Sequence, residues 1–147
     1  HDVRPTNLKL FEMVQSIDSL DLAAHIDRVS AALARRMPVL IEVNSGREAQ
    51  KGGIVPESVE ELVREVSRLA HVQVAGLMTM GPLLAEPARY HPYFRETQQL
   101  FRRLQSLDLP GVSMTCLSMG TSDSYEVAIE EGATMVRIGR AIFGEPR

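Results

Sequence analysis

The chain has 147 residues, 44% hydrophobic and 24% charged, which is enough apolar content for a buried core and excludes disorder and collagen-like architecture. Sixteen Lys plus Arg against nineteen Asp plus Glu give a net charge of −3, so there is no basic footprint for nucleic acid or for an anionic membrane surface. The length falls short of the roughly 250 residues of a complete (β/α)8 barrel, and only Lys9 and Lys51 offer an amine nucleophile, the other fourteen basic residues being arginines.

Taken in chain order, the hydrophobic pattern alternates between the strand and the helix period. Phe11 to Ile17 reads as a strand. Leu22, Ile26, Val29 and Leu33 then share one helical face, with Ser19 as N-cap and Pro38 as the stop. Val39 to Asn44 is the second strand. Val59, Leu62, Val63, Val66 and Leu69 make the next helix after Pro56, which suits a first helical turn. Val74 to Met80 is followed by a helical stripe of Phe94, Leu100, Phe101, Leu104 and Leu107, ended by Pro110-Gly111. Val112 to Ser118 leads into a short helix in which Asp123 and Glu126 have capping-box spacing, Ala128 and Ile129 face inward and Gly132 caps the C-terminus. Met135 to Ile138 is the last strand. The order βαβαβαβαβ, without a linker or low-complexity tract, predicts a single α/β domain over 1–147 with parallel strands and right-handed crossovers. An open doubly wound sheet and part of a (β/α)8 barrel both satisfy that order. The absence of G-x-G-x-x-G weakens the first.

The lone Cys116 sits in an apolar strand-like run and reads as a buried, inert thiol. His1, His25, His71 and His91 lack metal-ligand spacing with one another or with Cys116, so no metal site is expected. With no signal-peptide pattern and no apolar run near 20 residues, the expected location is the cytoplasm.

Two stretches carry chemistry. Leu117-Ser118-Met119-Gly120-Thr121-Ser122-Asp123 leaves a strand and enters a helix, where hydroxyls and helix N–H groups suit a phosphate; an ordinary N-cap turn is the alternative. In Val136-Arg137-Ile138-Gly139-Arg140, alternation places Arg137 and Gly139 on one face. An arginine inside an apolar run needs a partner, either a carboxylate such as Glu42 or a bound anion. Two anion-type turns on consecutive final βα units match the phosphate site that a barrel builds after its seventh and eighth strands. That numbering makes the strands present four to eight, with the N-terminal strands missing.

The chain resembles the pyridoxal phosphate homeostasis proteins, which share the alanine racemase N-terminal-like barrel. The resemblance runs through Gln15-Ser16-Ile17-Asp18-Ser19, Val39 to Asn44, Lys51-Gly52-Gly53-Ile54, Gly76 to Met80 and Leu117 to Gly144, in the family's order. It implies a pyridoxal 5′-phosphate carrier or homeostasis factor without robust catalysis, with client apo-enzymes as partners. By this resemblance Gly120, Thr121 and Ser122 form one half of a phosphate grip and Gly139 the other. Arg137 lies beside the pyridine nitrogen, which it leaves unprotonated because a guanidinium does not give up its proton. Asn44 and Met78 either line the pocket or pack. Arg140 departs from the family's usual threonine and either reaches the phosphate or points to solvent. The lysine that bonds the cofactor aldehyde belongs, in the family, to the end of the first barrel strand, and neither Lys9 nor Lys51 matches it. The alternatives are a racemase-like enzyme using the same cofactor, a non-catalytic barrel fragment or interaction module, and, more remotely, a sugar-phosphate enzyme.

Overall fold

The computed structural model describes residues 12–139. Five strands, β1 (Val14–Ile17), β2 (Met37–Val43), β3 (Val72–Thr79), β4 (Val112–Thr121) and β5 (Met135–Arg137), alternate with four helices, α1 (Leu20–Ala32), α2 (Val59–Val66), α3 (His91–Ser106) and α4 (Tyr125–Glu130). The strands form one sheet in the order β1-β2-β3-β4-β5, every pair parallel. A sheet whose order never reverses sends each right-handed crossover over the same face, so all helices collect on one side. This is barrel-type winding and excludes the doubly wound alternative, which needs a reversal of strand order.

Burial follows from that topology. Val39, Ile41, Val74, Leu77, Leu117 and Met119 point from the sheet into one continuous core with Ile26, Val63, Phe94, Leu104 and Ala128 of the helices. The opposite face carries a smaller cluster of Leu40, Ala75, Met78 and Cys116, flanked by Met13 and Met135, with no helix residue in it. Cys116 is a buried free thiol, as its apolar setting predicts.

The helix-free face is concave. In a flat sheet at about 4.8 Å per strand, β1 and β5 would lie about 19 Å apart. Yet the Gln15 amide on β1 donates to Met135 Sδ on β5 at 3.4 Å, and Ser118 Oγ on β4 donates to Gln15 Oε1 at 3.0 Å. Only a sheet rolled into an arc brings those side chains together.

Several boundaries differ from the sequence reading. Ser19 does cap α1, its hydroxyl accepting from Leu22 N at 3.2 Å. The helix stops before Pro38, however: Ala34 takes a left-handed φ of 52°, and Arg35 N reaches back to Ser30 O at 3.1 Å, a closing turn of the Schellman type. Pro38 is instead the second residue of β2, ahead of the first pairing with β1 at Val39, where no β1 carbonyl requires its missing N–H. The N-cap of α4 is Ser124 rather than Asp123, and Ile129 is 57% exposed while Val127 and Ala128 are buried. Over a six-residue helix only one narrow stripe can reach the sheet, and Ile129 falls outside it. Two 3-10 turns, Pro56–Ser58 and Pro87–Tyr90, precede α2 and α3 and carry no hydrophobic period that would reveal them in sequence.

Candidate functional site

The C-terminal ends of β3, β4 and β5 open into a cavity of about 390 Å³. Among its lining residues are Thr121, Ser122, Arg137 and Gly139, so four of the eight residues proposed from sequence share one cavity. Lys51, Met80 and Tyr90 also line it. Tyr90 holds the Gly81–Leu84 segment in place: its hydroxyl accepts from Leu84 N at 3.1 Å, and its ring stacks on Phe94 with centroids 5.3 Å apart.

The remaining proposed residues lie elsewhere. Gly120 is the close contact between β4 and α4; a Cβ there would lie 2.6 Å from Ala128 Cβ, and φ is 100°. Asn44 lines a neighbouring cavity of about 220 Å³ and closes its own loop, donating from Nδ2 to Glu48 O at 2.7 Å and accepting from Glu48 N at 3.1 Å. Met78 packs with Leu40 and Cys116 on the concave face. Arg140 lies outside the described residues, as does Lys9. Lys51 is exposed and 3.7 Å from Glu48 Oε2.

The turn after β4 is set by local hydrogen bonds. Thr121 N donates to Ser124 Oγ at 3.1 Å and Ser124 N to Thr121 O at 3.1 Å, which bends the chain so that Thr121, Ser122 and Asp123 border the cavity. Strand β4 runs on to Thr121, three residues past the Ser118 end expected from sequence, so the turn begins later than that reading places it.

Arg137 is the most unusual group in the site. Nη2 donates to Thr79 O at 2.9 Å and Nη1 to Met80 Sδ at 3.0 Å, whereas Nε is buried and has no hydrogen-bond partner among the described residues. Burial pulls its pKa below the ordinary arginine value, and the nearby Glu42 carboxylate opposes that shift. A guanidinium stays charged under such conditions. The partner expected from sequence, Glu42, interacts with it through space; no Arg137–Glu42 ion pair within 4.0 Å occurs among the described residues, and the direct contacts are a backbone carbonyl and a thioether. A backbone acceptor has no residue-type signal, which is why spacing could not find it.

Glu42 has a second neighbour that sequence reasoning missed. Asp18 accepts from Gly53 N at 3.1 Å, and a Cβ on Gly52 would sit 3.1 Å from Glu42 Oε2 and 3.9 Å from Asp18 Oδ2. Two carboxylates thus converge under the Lys51–Gly53 loop. Burial first, then the Asp18 charge, raises the Glu42 pKa, and Arg137 lowers it only in part. An acid whose folded pKa is raised costs stability when ionised: its contribution is most favourable at low pH and is lost as pH rises through the folded value. Glu42→Gln is therefore expected to raise the melting temperature at pH 8, with the gain shrinking toward zero near pH 4. Thermal denaturation across that range checks it, and a loss of stability at pH 8 would show that the ionised carboxylate is satisfied.

A one-sided parallel α/β arc with a cavity at the carboxyl ends of its strands defines a domain of the (β/α) barrel class, in which that end is where ligands bind. The family description "Alanine racemase, N-terminal domain" matches residues 4–146, and the chain belongs to this family. Among its relatives, the pyridoxal phosphate homeostasis protein of Aquifex aeolicus is 44% identical over 133 residues, 90% of this chain and 58% of that protein. The protein of the same name from Pseudomonas aeruginosa is 38% identical over 134 residues, covering 91% and 56%. The structure of PipY from Synechococcus elongatus PCC7942 with PLP bound superimposes with a TM-score of 0.82 at 29% identity, covering 95% of this chain and 64% of that one. Alanine racemase from Clostridium difficile 630 shares the fold, with a TM-score of 0.72 at 18% identity. The chain spans less than two thirds of the length of these relatives.

Proposed function

We propose that this chain supplies the phosphate- and ring-holding part of a pyridoxal 5′-phosphate site, in a protein that carries or buffers the cofactor. The observation that carries this reading is the orphaned Nε of Arg137 beside a cavity bordered by the Thr121–Ser122 turn and Gly139. The residues fit the group. A buried N–H without a partner is costly unless a ligand atom satisfies it, and a Cβ on Gly139 would meet no atom of the described residues within 4 Å, so none of them blocks a phosphate from approaching that backbone. Thr121, Ser122 and Gly139 hold the phosphate in this reading, and Arg137 faces the pyridine nitrogen. Pyridoxal 5′-phosphate supplies an amine-reactive aldehyde on an electron-withdrawing ring when bound; a guanidinium against that nitrogen keeps the ring a weak electron sink, which suits carriage better than catalysis.

The curl of the sheet supports numbering the strands as four to eight of an eight-stranded barrel. In a closed barrel of that size the fourth and eighth strands are diametrically opposed, and opposed side chains meet across the interior. Gln15 on β1 and Met135 on β5 do so. In this reading the lysine that bonds the aldehyde is not among the described residues. Cytoplasmic residence and delivery to apo-enzymes belong to the same proposal. Pyridoxal 5′-phosphate at saturating concentration is expected to raise the thermal midpoint of the chain by several degrees, while a sugar phosphate at the same concentration leaves it nearly unmoved. Equal shifts from both would favour a generic phosphate site.

A further inference from the structure

The guanidinium of Arg137 takes its orientation from the end of β3, not from its own strand. Thr79 is the last residue that β3 pairs with either neighbour, opposite Val43 on one side and Met119 on the other. Its carbonyl accepts from Arg137 Nη2 at 2.9 Å. The Thr79 side chain ties this end of β3 to β2. Thr79 Oγ1 donates to Val43 O at 2.7 Å and is 2.8 Å from Ser45 Oγ. Because the threonine proton is committed to Val43 O, the serine must be the donor in the second bond. Both residues are buried, at 0% and 1% exposure. Two hydroxyls therefore clamp the end of β3 to the end of β2, just where the next peptide carries the carbonyl and thioether that grip Arg137.

We infer that Thr79 is a positioning residue for Arg137, acting with Ser45 to fix the guanidinium at the wall of the ligand cavity. The inference rests on the pyridoxal phosphate reading for its functional consequence, though not for its structural part. A hydroxyl pair that merely held two strands together would affect every ligand and the fold alike. An aiming role affects the ring contact and spares the phosphate contacts, which come from β4 and β5.

The test compares the wild type with Thr79→Val, Thr79→Ser and Ser45→Ala, measuring affinity for pyridoxal 5′-phosphate and for inorganic phosphate alongside thermal stability. Thr79→Val is expected to weaken the cofactor about tenfold, the scale of one well-made polar contact, while phosphate affinity stays within about twofold. Thr79→Ser, which keeps the hydroxyl, restores the wild-type ratio. A folded Thr79→Val with unchanged cofactor affinity, or with equal losses for both ligands, overturns the inference. Should Thr79→Val fail to fold, Ser45→Ala carries the same comparison. A ligand-free readout separates this inference from the function: the ¹⁵N–¹H resonance of Arg137 Nε is expected to be a single sharp signal in wild type and to broaden or shift in Ser45→Ala. If wild type binds no cofactor yet that signal responds, the functional reading falls and the positioning role stands; an unresponsive signal overturns the positioning role.

Discussion

Replacing Arg137 by alanine is expected to weaken the binding of pyridoxal 5′-phosphate by one to two orders of magnitude, about the value of a hydrogen bond from a charged donor in a partly dry site. The same change should cost little stability. The guanidinium is taken out of water and only partly repaid, since among the described residues Nε finds no partner and its contacts are a carbonyl and a sulfur. Arg137→Ala is thus expected to melt within a few degrees of wild type while losing the ligand. Arg137→Lys should recover only part of the affinity, because an ammonium keeps the charge but cannot grip Thr79 O, Met80 Sδ and a ligand atom with one planar fork. Isothermal titration beside thermal denaturation reads both effects. Undiminished affinity in a folded Arg137→Ala would remove Arg137 from the site.

The largest stability effect is expected at Gly76. A Cβ there would lie 1.7 Å from Cys116 O and 2.6 Å from its carbonyl carbon, both backbone atoms of the adjacent strand. No rotamer change relieves that overlap; β3 and β4 would have to separate in the middle of the sheet. The pairing registers shift at this place on both sides, between Val39 and Leu40 against β2 and between Val74 and Gly76 against β4, so the glycine marks an irregularity that the neighbouring strands accommodate. Gly76→Ala is expected to lower the unfolding free energy by about 4 kcal/mol or more, the range reserved for severe core disruption, and to leave the chain unfolded if its margin is smaller than that. Urea denaturation followed by circular dichroism measures it. A loss below about 1 kcal/mol, the scale of an ordinary substitution, would mean that the strands part more easily than this packing implies.

The sequence made the elements legible because each helix and strand presents an apolar stripe of the right period to a single core. Ile26 and Val29, Leu62, Val63 and Val66, or Phe101 and Leu104 announce their helices, and a nearly unbroken apolar run marks β3, where six of eight positions are buried in succession. Boundaries were less legible where a backbone device outweighed a residue signal. Ala34 ends α1 in a conformation usually left to glycine, and Pro38 enters a strand whose β1 pairing has not begun. The site was half visible. Thr121, Ser122, Arg137 and Gly139 were read from turn chemistry and a misplaced charge, and they share a cavity. What holds Arg137 was invisible, because Thr79 offers its carbonyl rather than its side chain. The convergence of Asp18 on Glu42 and the bridge from Gln15 to Met135 depend on how far the sheet rolls, a property of the assembled arc.

A crystal structure of the chain soaked with pyridoxal 5′-phosphate tests the central claim most directly. The phosphate is expected against the Thr121–Ser122 turn and the Gly139 backbone, with the ring nitrogen within hydrogen-bonding distance of the Arg137 guanidinium. Cofactor density confined to another surface, such as the cavity between His91 and Tyr125 on the far side of the same turn, would contradict it.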